Sequence, residues 1–183
     1  RLAYIRRHAG LPRNPSQSYL IPSLYVQLTM AATNQPTYRV YCRASPNYNL
    51  AVGDGVAILA PIDKNDERQH WYKDDKYSYK KDAGGLPSFS LVNKATGQTL
   101  KHSSHHPVPV RLVAYNPDVL DEYVLWAQAD DRGEGYKAIR SLTNPASHLE
   151  AAALNDCSYH GAIIMGGVWI DTNNQQWKIE PHS

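Results

Sequence analysis

From Tyr38 onward, hydrophobic and polar residues alternate in short runs with the two-residue period of a half-buried strand, and the runs fall into three similar groups. Tyr38-Arg39-Val40-Tyr41, Phe89-Ser90-Leu91-Val92 and Tyr136-Lys137-Ala138-Ile139-Arg140 open the groups, their first aromatics 51 and then 47 residues apart. A turn follows each opening: Ser45-Pro46-Asn47, Asn93-Lys94-Ala95-Thr96-Gly97 and Thr143-Asn144-Pro145-Ala146. An apolar anchor comes next, Leu50, Leu100 and Leu149, at spacings of 50 and 49 residues. A further strand-type run (Val56–Leu59, Val110–Val113, Ala162–Met165) follows, and each group closes on a tryptophan, Trp71, Trp126 and Trp177, 55 and 51 residues apart.

Three β units of about fifty residues, each too small to bury its own apolar face, reach a common core by three-fold closure. The expected fold is therefore all-β, a β-trefoil in which a small barrel is capped by hairpins, and closure removes exposed strand edges. The best helical candidate, Leu149 to Leu154, is too short to stand alone and predicts one turn at most. Residues 1–29 show no sustained period and are broken by Pro12, Pro15 and Pro22, so residues 1–35 read as a flexible basic extension and 36–183 as the trefoil. Met30-Ala31-Ala32-Thr33 has the form of a natural initiator, which leaves the preceding segment open as an upstream translation, a spliced leader, a transit peptide or the tail of another domain.

Composition agrees with many short strands and turns. The 183 residues include 13 Tyr, 11 Gly and 12 Pro, with a modest apolar fraction of 42%. The formal net charge of +2 conceals an asymmetry: residues 1–29 hold Arg1, Arg6, Arg7 and Arg13 and no acid, leaving 15 bases against 17 acids in the rest. The globular part is thus no polyanion binder by charge. Cys42 and Cys157 lie 115 residues apart without metal-ligand spacing, which predicts buried free thiols. No apolar run approaches the roughly 18 residues of a membrane helix, so a soluble protein without a membrane partner is expected.

Gln69-His70-Trp71 and Gln175-Gln176-Trp177 carry the Gln-x-Trp signature of ricin-B-like β-trefoil lectins. Further stretches sharpen the match: Tyr38-Arg39-Val40-Tyr41-Cys42-Arg43-Ala44, Leu50-Ala51-Val52, Leu91-Val92-Asn93-Lys94-Ala95-Thr96-Gly97, Pro107-Val108-Pro109-Val110-Arg111-Leu112-Val113 and Asn174-Gln175-Gln176-Trp177-Lys178-Ile179. Over residues 36 to 181 the chain resembles the plant Euonymus-lectin domain family. That resemblance implies a carbohydrate-binding trefoil without catalysis, metal or cofactor, found in the cytoplasm and nucleus and linked to stress responses. Its partners would be glycans or glycoproteins, of mannose-rich or galactose type, with no specific nucleic acid and with a homodimer left open. The family's site lies in the third repeat, and its positions here read Glu150, Trp169, Asn174 and Gln175.

Those residue types suit a sugar. A carboxylate at Glu150 accepts hydroxyl hydrogens, the amides of Asn174 and Gln175 donate and accept, and the Trp169 ring can cover the apolar face of a pyranose. Each residue also has a plainer duty available: Glu150 as a solvated charge, Asn174 as a turn cap, Trp169 as a hairpin plug, and Gln175, by its match to Gln69, as a structural tie. Trp177 recurs in every unit and belongs to the core. Two departures from the family bear on the site. Glu150 replaces Asp, and Gly166-Gly167 replaces bulky residues, which predicts a more flexible hairpin with less aromatic surface. In the first repeat Arg68 stands for the Asn, with Gly53 or Asp54 left to supply an acid; in the second, Val124 replaces the Gln.

Other chemistries are weaker. His102-Ser103-Ser104-His105-His106 offers three imidazoles, but no spaced Cys or carboxylate completes a metal site, so a solvated loop is expected. No nucleophile elbow, HExxH or phosphate loop occurs. The main alternative to a lectin is a trefoil interaction module with a degraded sugar site, using Asp63 to Arg68 or the Lys- and Tyr-rich stretch Tyr72 to Gly85. A nucleic-acid partner recruited by residues 1–29 is a third class, with strongly salt-dependent affinity as its mark.

Overall fold

The computed structural model describes residues 35–105, 107–152 and 160–182. The proposed basic extension (but for Gln35), Cys157, His106 and Leu154 lie outside them. The first repeat contains β1 (Tyr38–Cys42), β2 (Tyr48–Gly53), β3 (Val56–Pro61) and β4 (Trp71–Asp74). The second contains β5 (Ser88–Asn93), β6 (Gln98–Lys101), the two-residue β7 (Val108–Pro109), β8 (Arg111–Ala114) and β9 (Trp126–Asp131). β10 (Lys137–Ser141), β11 (Ser147–Ala151), β12 (Ile164–Val168) and β13 (Gln176–Pro181) form the third.

Six of these strands close into a ring in which β1 pairs with β4, β4 with β5, β5 with β9, β9 with β10, β10 with β13, and β13 returns to β1. Three antiparallel hairpins cap the barrel: β2 with β3, β6 with β8, and β11 with β12. This is the β-trefoil, reached by the closure that the repeat requires.

The three-fold repeat reappears as one hydrogen bond made three times. Each closing tryptophan is fully buried and donates its indole N–H to the carbonyl of its own anchor leucine: Trp71 to Leu50 at 2.8 Å, Trp126 to Leu100 at 3.1 Å, Trp177 to Leu149 at 2.7 Å. The bond satisfies the one polar atom of a ring that otherwise only buries apolar area, and it ties each cap to the barrel. Val40, Leu91 and Ile139, one per opening strand, complete the shared core.

Strand register corrects one alignment. Tyr38, Phe89 and Lys137 each face the tryptophan of their own repeat, so the third repeat opens at Lys137 and not at Tyr136. Tyr136 attracts the eye as an aromatic because it packs edge-on against Tyr41, with centroids 5.9 Å apart, one residue ahead of the strand. The candidate turn at Leu149 to Leu154 is instead extended through Ala151, paired along β12. Cys42 is buried, and burial pushes its thiol up to about 11.

Candidate functional site

Side chains of β11 take opposite faces in turn. Leu149 and Ala151 enter the core, which turns His148, itself buried, and the half-buried Glu150 to the opposite face of the hairpin. Glu150 lies opposite Met165 of β12, and His148 opposite Gly167. After β12 the chain passes through Trp169 and Ile170 to a short 3-10 turn, Asn173–Gln175, that leads into β13.

That turn delivers two amides to Glu150. Asn174 Nδ2 donates to Glu150 Oε1 at 3.3 Å and to the Ala151 carbonyl at 3.0 Å, while Gln175 Nε2 donates to Glu150 Oε2 at 3.0 Å. Each carboxylate oxygen therefore holds one amide N–H and keeps a further lone pair, and Glu150 is only partly buried. A carboxylate fixed from behind and open in front is a preorganised acceptor for hydroxyl groups.

Gln175 has a second duty. It is fully buried, its Nε2 also donates to the Val168 carbonyl at 2.7 Å, and its Oε1 accepts the Ile170 N–H at 2.9 Å. Gln69 does the same in the first repeat, donating to the Pro61 carbonyl at 2.9 Å and accepting the Asp63 N–H at 3.1 Å. Both amides bridge two residues at the point where the chain leaves the second strand of a hairpin, and in the third repeat the residue between them is Trp169. Gln175 thus fixes Glu150 and the Trp169 backbone together, with its side chain withdrawn from the surface.

The Trp169 ring is turned toward its own set of neighbours. It rests on His148, with centroids 4.9 Å apart and planes tilted by 41°, and the Arg132 guanidinium carbon lies 5.2 Å from its centroid. Glu150, Asn174 and Gln175 form one hydrogen-bonded cluster, and Trp169 joins it through the chain held by Gln175. His148 and Arg132 carry no motif in the sequence; only the alternation of β11 hinted that His148 shares a face with Glu150.

The glycines of β12 are not a flexible hairpin. Gly166 pairs with Leu149 and Gly167 with His148, and both are buried. A Cβ on Gly166 would stand 2.9 Å from Ser147 Oγ, and one on Gly167 would collide with Glu150 Oε2. The Glu150 side chain occupies the space that the absent side chain at residue 167 leaves.

The other repeats lack this arrangement. Since Leu50, Leu100 and Leu149 are equivalent acceptors, the residue matching Glu150 is Ala51 in the first repeat and Lys101 in the second. Neither Gly53 nor Asp54 takes the acid's place. Lys101 pairs instead with Asp121 at 2.7 Å. In the histidine loop Ser104 and His105 are exposed as expected, but His102 is buried: its Nε2 lies 2.7 Å from Thr143 Oγ1, and its ring meets Tyr123 and Trp126. No group of three metal-ligating side chains occurs among the described residues. The stretch Tyr72 to Gly85 is pinned to the segment before β9 by Lys76–Asp118, Lys80–Glu122 and the Tyr77 hydroxyl donating to the Pro117 carbonyl.

No protein-family profile matches the chain. Individual proteins do. It is 47% identical over 154 residues to a ricin B-like lectin of Oryza sativa subsp. japonica, covering 81% of this chain and 74% of that one. It is 49% identical over 184 residues to ricin B-like lectin EULS3 of Arabidopsis thaliana, covering 94% of this chain but 54% of the relative's length. Among solved structures, the designed three-fold symmetric protein ThreeFoil superposes with a TM-score of 0.61 at 19% identity, over 79% of this chain and 97% of that one. The Macrolepiota procera ricin B-like lectin in complex with lactose gives 0.56 at 17% identity, over 81% and 97%.

Proposed function

The chain belongs to the plant ricin B-like lectins of the Euonymus-lectin type, and from that premise we propose that it binds glycans without catalysis at a single site on the third cap. The observation that carries the reading is the Glu150 carboxylate held from behind by Asn174 and Gln175 while its front stays open. Sugar hydroxyls donate to Glu150, the remaining oxygen of Asn174 accepts a further hydroxyl, and Trp169 offers the aromatic surface that an apolar sugar face requires. Gln175 is a positioning residue here, since its amide is consumed by Glu150 and the backbone of Val168 and Ile170.

One open carboxylate with one amide and one ring supports modest affinity, on the order of micromolar to millimolar, or about −8 to −4 kcal/mol. Ligands of mannose-rich or galactose type both present the vicinal hydroxyls such a ledge accepts. A glycan array probed with the wild-type protein, Glu150→Gln and Trp169→Ala tests the reading. Binding by wild type that falls at least about tenfold in both variants, a loss of about 1.4 kcal/mol, supports it. Absence of wild-type binding at high protein concentration sinks it, and binding indifferent to Glu150→Gln moves the site elsewhere. We extend the proposal to action in the cytoplasm and nucleus, as the family resemblance leads us to expect; imaging of a fluorescent fusion confined to another compartment would overturn that part.

A further inference from the structure

The Glu150 ledge leaves unexplained a cleft of about 370 Å³ on the far side of Trp169, between β9 and β10, the turn before β11 and the end of β12. That volume lies at the lower end of the range of ordinary small-molecule pockets. Arg132, Arg140, His148 and Trp169 supply its polar and aromatic wall, and no carboxylate belongs to that wall.

The two arginines differ in what they have left to give. Arg140 Nε donates to Asp82, whose buried carboxylate also accepts the N–H groups of Gly84 and Leu86, so its charge is neutralised in place. Arg132 is exposed and makes no ion pair or side-chain hydrogen bond among the described residues; its guanidinium is held over the Trp169 ring. A guanidinium that makes no ion pair among the described residues and is steadied by an aromatic face presents a planar fork of donors, the geometry that carboxylates and sulfates accept in two parallel bonds.

The cleft also has a fixed distance from the sugar ledge. His148, the platform under Trp169, and Glu150 stand two residues apart on one face of β11, about 7 Å at the rise of a strand. The next residue of an oligosaccharide held at Glu150 spans such a gap. The charges order the two positions, because the Glu150 carboxylate repels an anion from its own ledge while Arg132 attracts one.

We propose that the cleft takes an acidic sugar residue, bearing a carboxylate or a sulfate, with Arg132 as the anion-binding group beside a neutral residue held at Glu150. This rests on the lectin reading above and narrows its ligand class. Calorimetric titration with matched disaccharides that differ only in carrying a hydroxymethyl group, a carboxylate or a sulfate ester on one residue tests it, in the wild type, Arg132→Gln and Arg132→Lys. The acidic forms should bind at least about tenfold tighter than the neutral one, and the gap should narrow between about 50 and about 200 mM salt. It should close in Arg132→Gln and persist in part in Arg132→Lys. The carboxylate and sulfate arms show which anion is preferred. Neutral and acidic forms binding alike, or a preference that survives Arg132→Gln, would overturn the proposal while the lectin reading stands. Inorganic sulfate binding as tightly as the sulfated sugar would reduce the cleft to an anion trap and overturn it too. No binding of any disaccharide would sink both readings.

Discussion

The Glu150 carboxylate fills the volume that a side chain at residue 167 would need: a Cβ on Gly167 would overlap Glu150 Oε2 and stand 3.1 Å from its Cδ. The two residues are diagonal neighbours across β11 and β12, close enough for one to set the room available to the other. Gly167→Ala should therefore push Glu150 out of its amide clamp, weaken glycan binding and cost about 1–3 kcal/mol of stability. Glu150→Asp in the same chain shortens the acid and should return much of that loss. Urea denaturation of the four proteins in a double-mutant cycle reads the coupling, expected at about 1 kcal/mol or more. Strictly additive costs would show that the pair does not share this space.

Gln69 and Gln175 make the same two backbone bonds, and Gln175 also holds Glu150. Replacing either by Ala removes the donor to one carbonyl and the acceptor of one N–H, both part-buried, at about 0.5–1.5 kcal/mol for each bond lost. Both variants should lower the thermal midpoint. Only Gln175→Ala should abolish glycan binding at temperatures where the variant is still folded; equal loss of binding in Gln69→Ala would detach the binding defect from Glu150.

The indole-to-carbonyl bond can be removed with little else changed. Trp177→Phe keeps an aromatic ring but leaves the Leu149 carbonyl without its donor, at about 1–3 kcal/mol, with some lost packing added. Trp71→Phe and Trp126→Phe should cost similar amounts, since each loses the same bond. Chemical denaturation of the three variants checks the equivalence; a Trp177 variant far less affected than the others would break it.

The C-terminal end of the described chain packs on a histidine of the first repeat. The His182 and His70 rings lie with centroids 3.7 Å apart, and the His182 N–H donates to the Thr37 carbonyl at 2.7 Å. Burial and then the charge of His70 hold the His182 pKa below its ordinary value. A histidine depressed in the folded state binds fewer protons than in the unfolded chain, so this contact is undiminished above the unfolded pKa of about 6.5 and weakens as pH falls through the window beneath it. The urea midpoint should drop between about pH 7.5 and about pH 5.5, and His182→Gln should flatten that part of the profile. An unchanged slope in His182→Gln would assign the effect to other groups.

The fold could be read from the sequence because its period is carried by residues that must be buried. Trp71, Trp126 and Trp177 with Leu50, Leu100 and Leu149 recur at nearly constant spacing, and every one is in the core. The slip in the repeat, Tyr136 for Lys137, arose where an aromatic packs against another repeat and mimics a strand start. Gln175 was half legible, since its match to Gln69 announced a structural tie. The Glu150–Gly167 exchange was not, because it depends on a diagonal between strands and on which face each side chain takes. His102 escaped for a similar reason: three histidines in a polar run suggest solvent, whereas this one is enclosed by Tyr123, Trp126 and Thr143 from other parts of the chain.

In each repeat the tryptophan bonds to a main-chain oxygen, and the residue that follows the anchor is free to be Ala51, Lys101 or Glu150. An acceptor that belongs to the backbone is present whatever side chain comes next. The indole bond that ties each cap to the barrel is therefore indifferent to the chemistry of that side chain, so one scaffold carries a small apolar residue, a cation and an anion at three equivalent places.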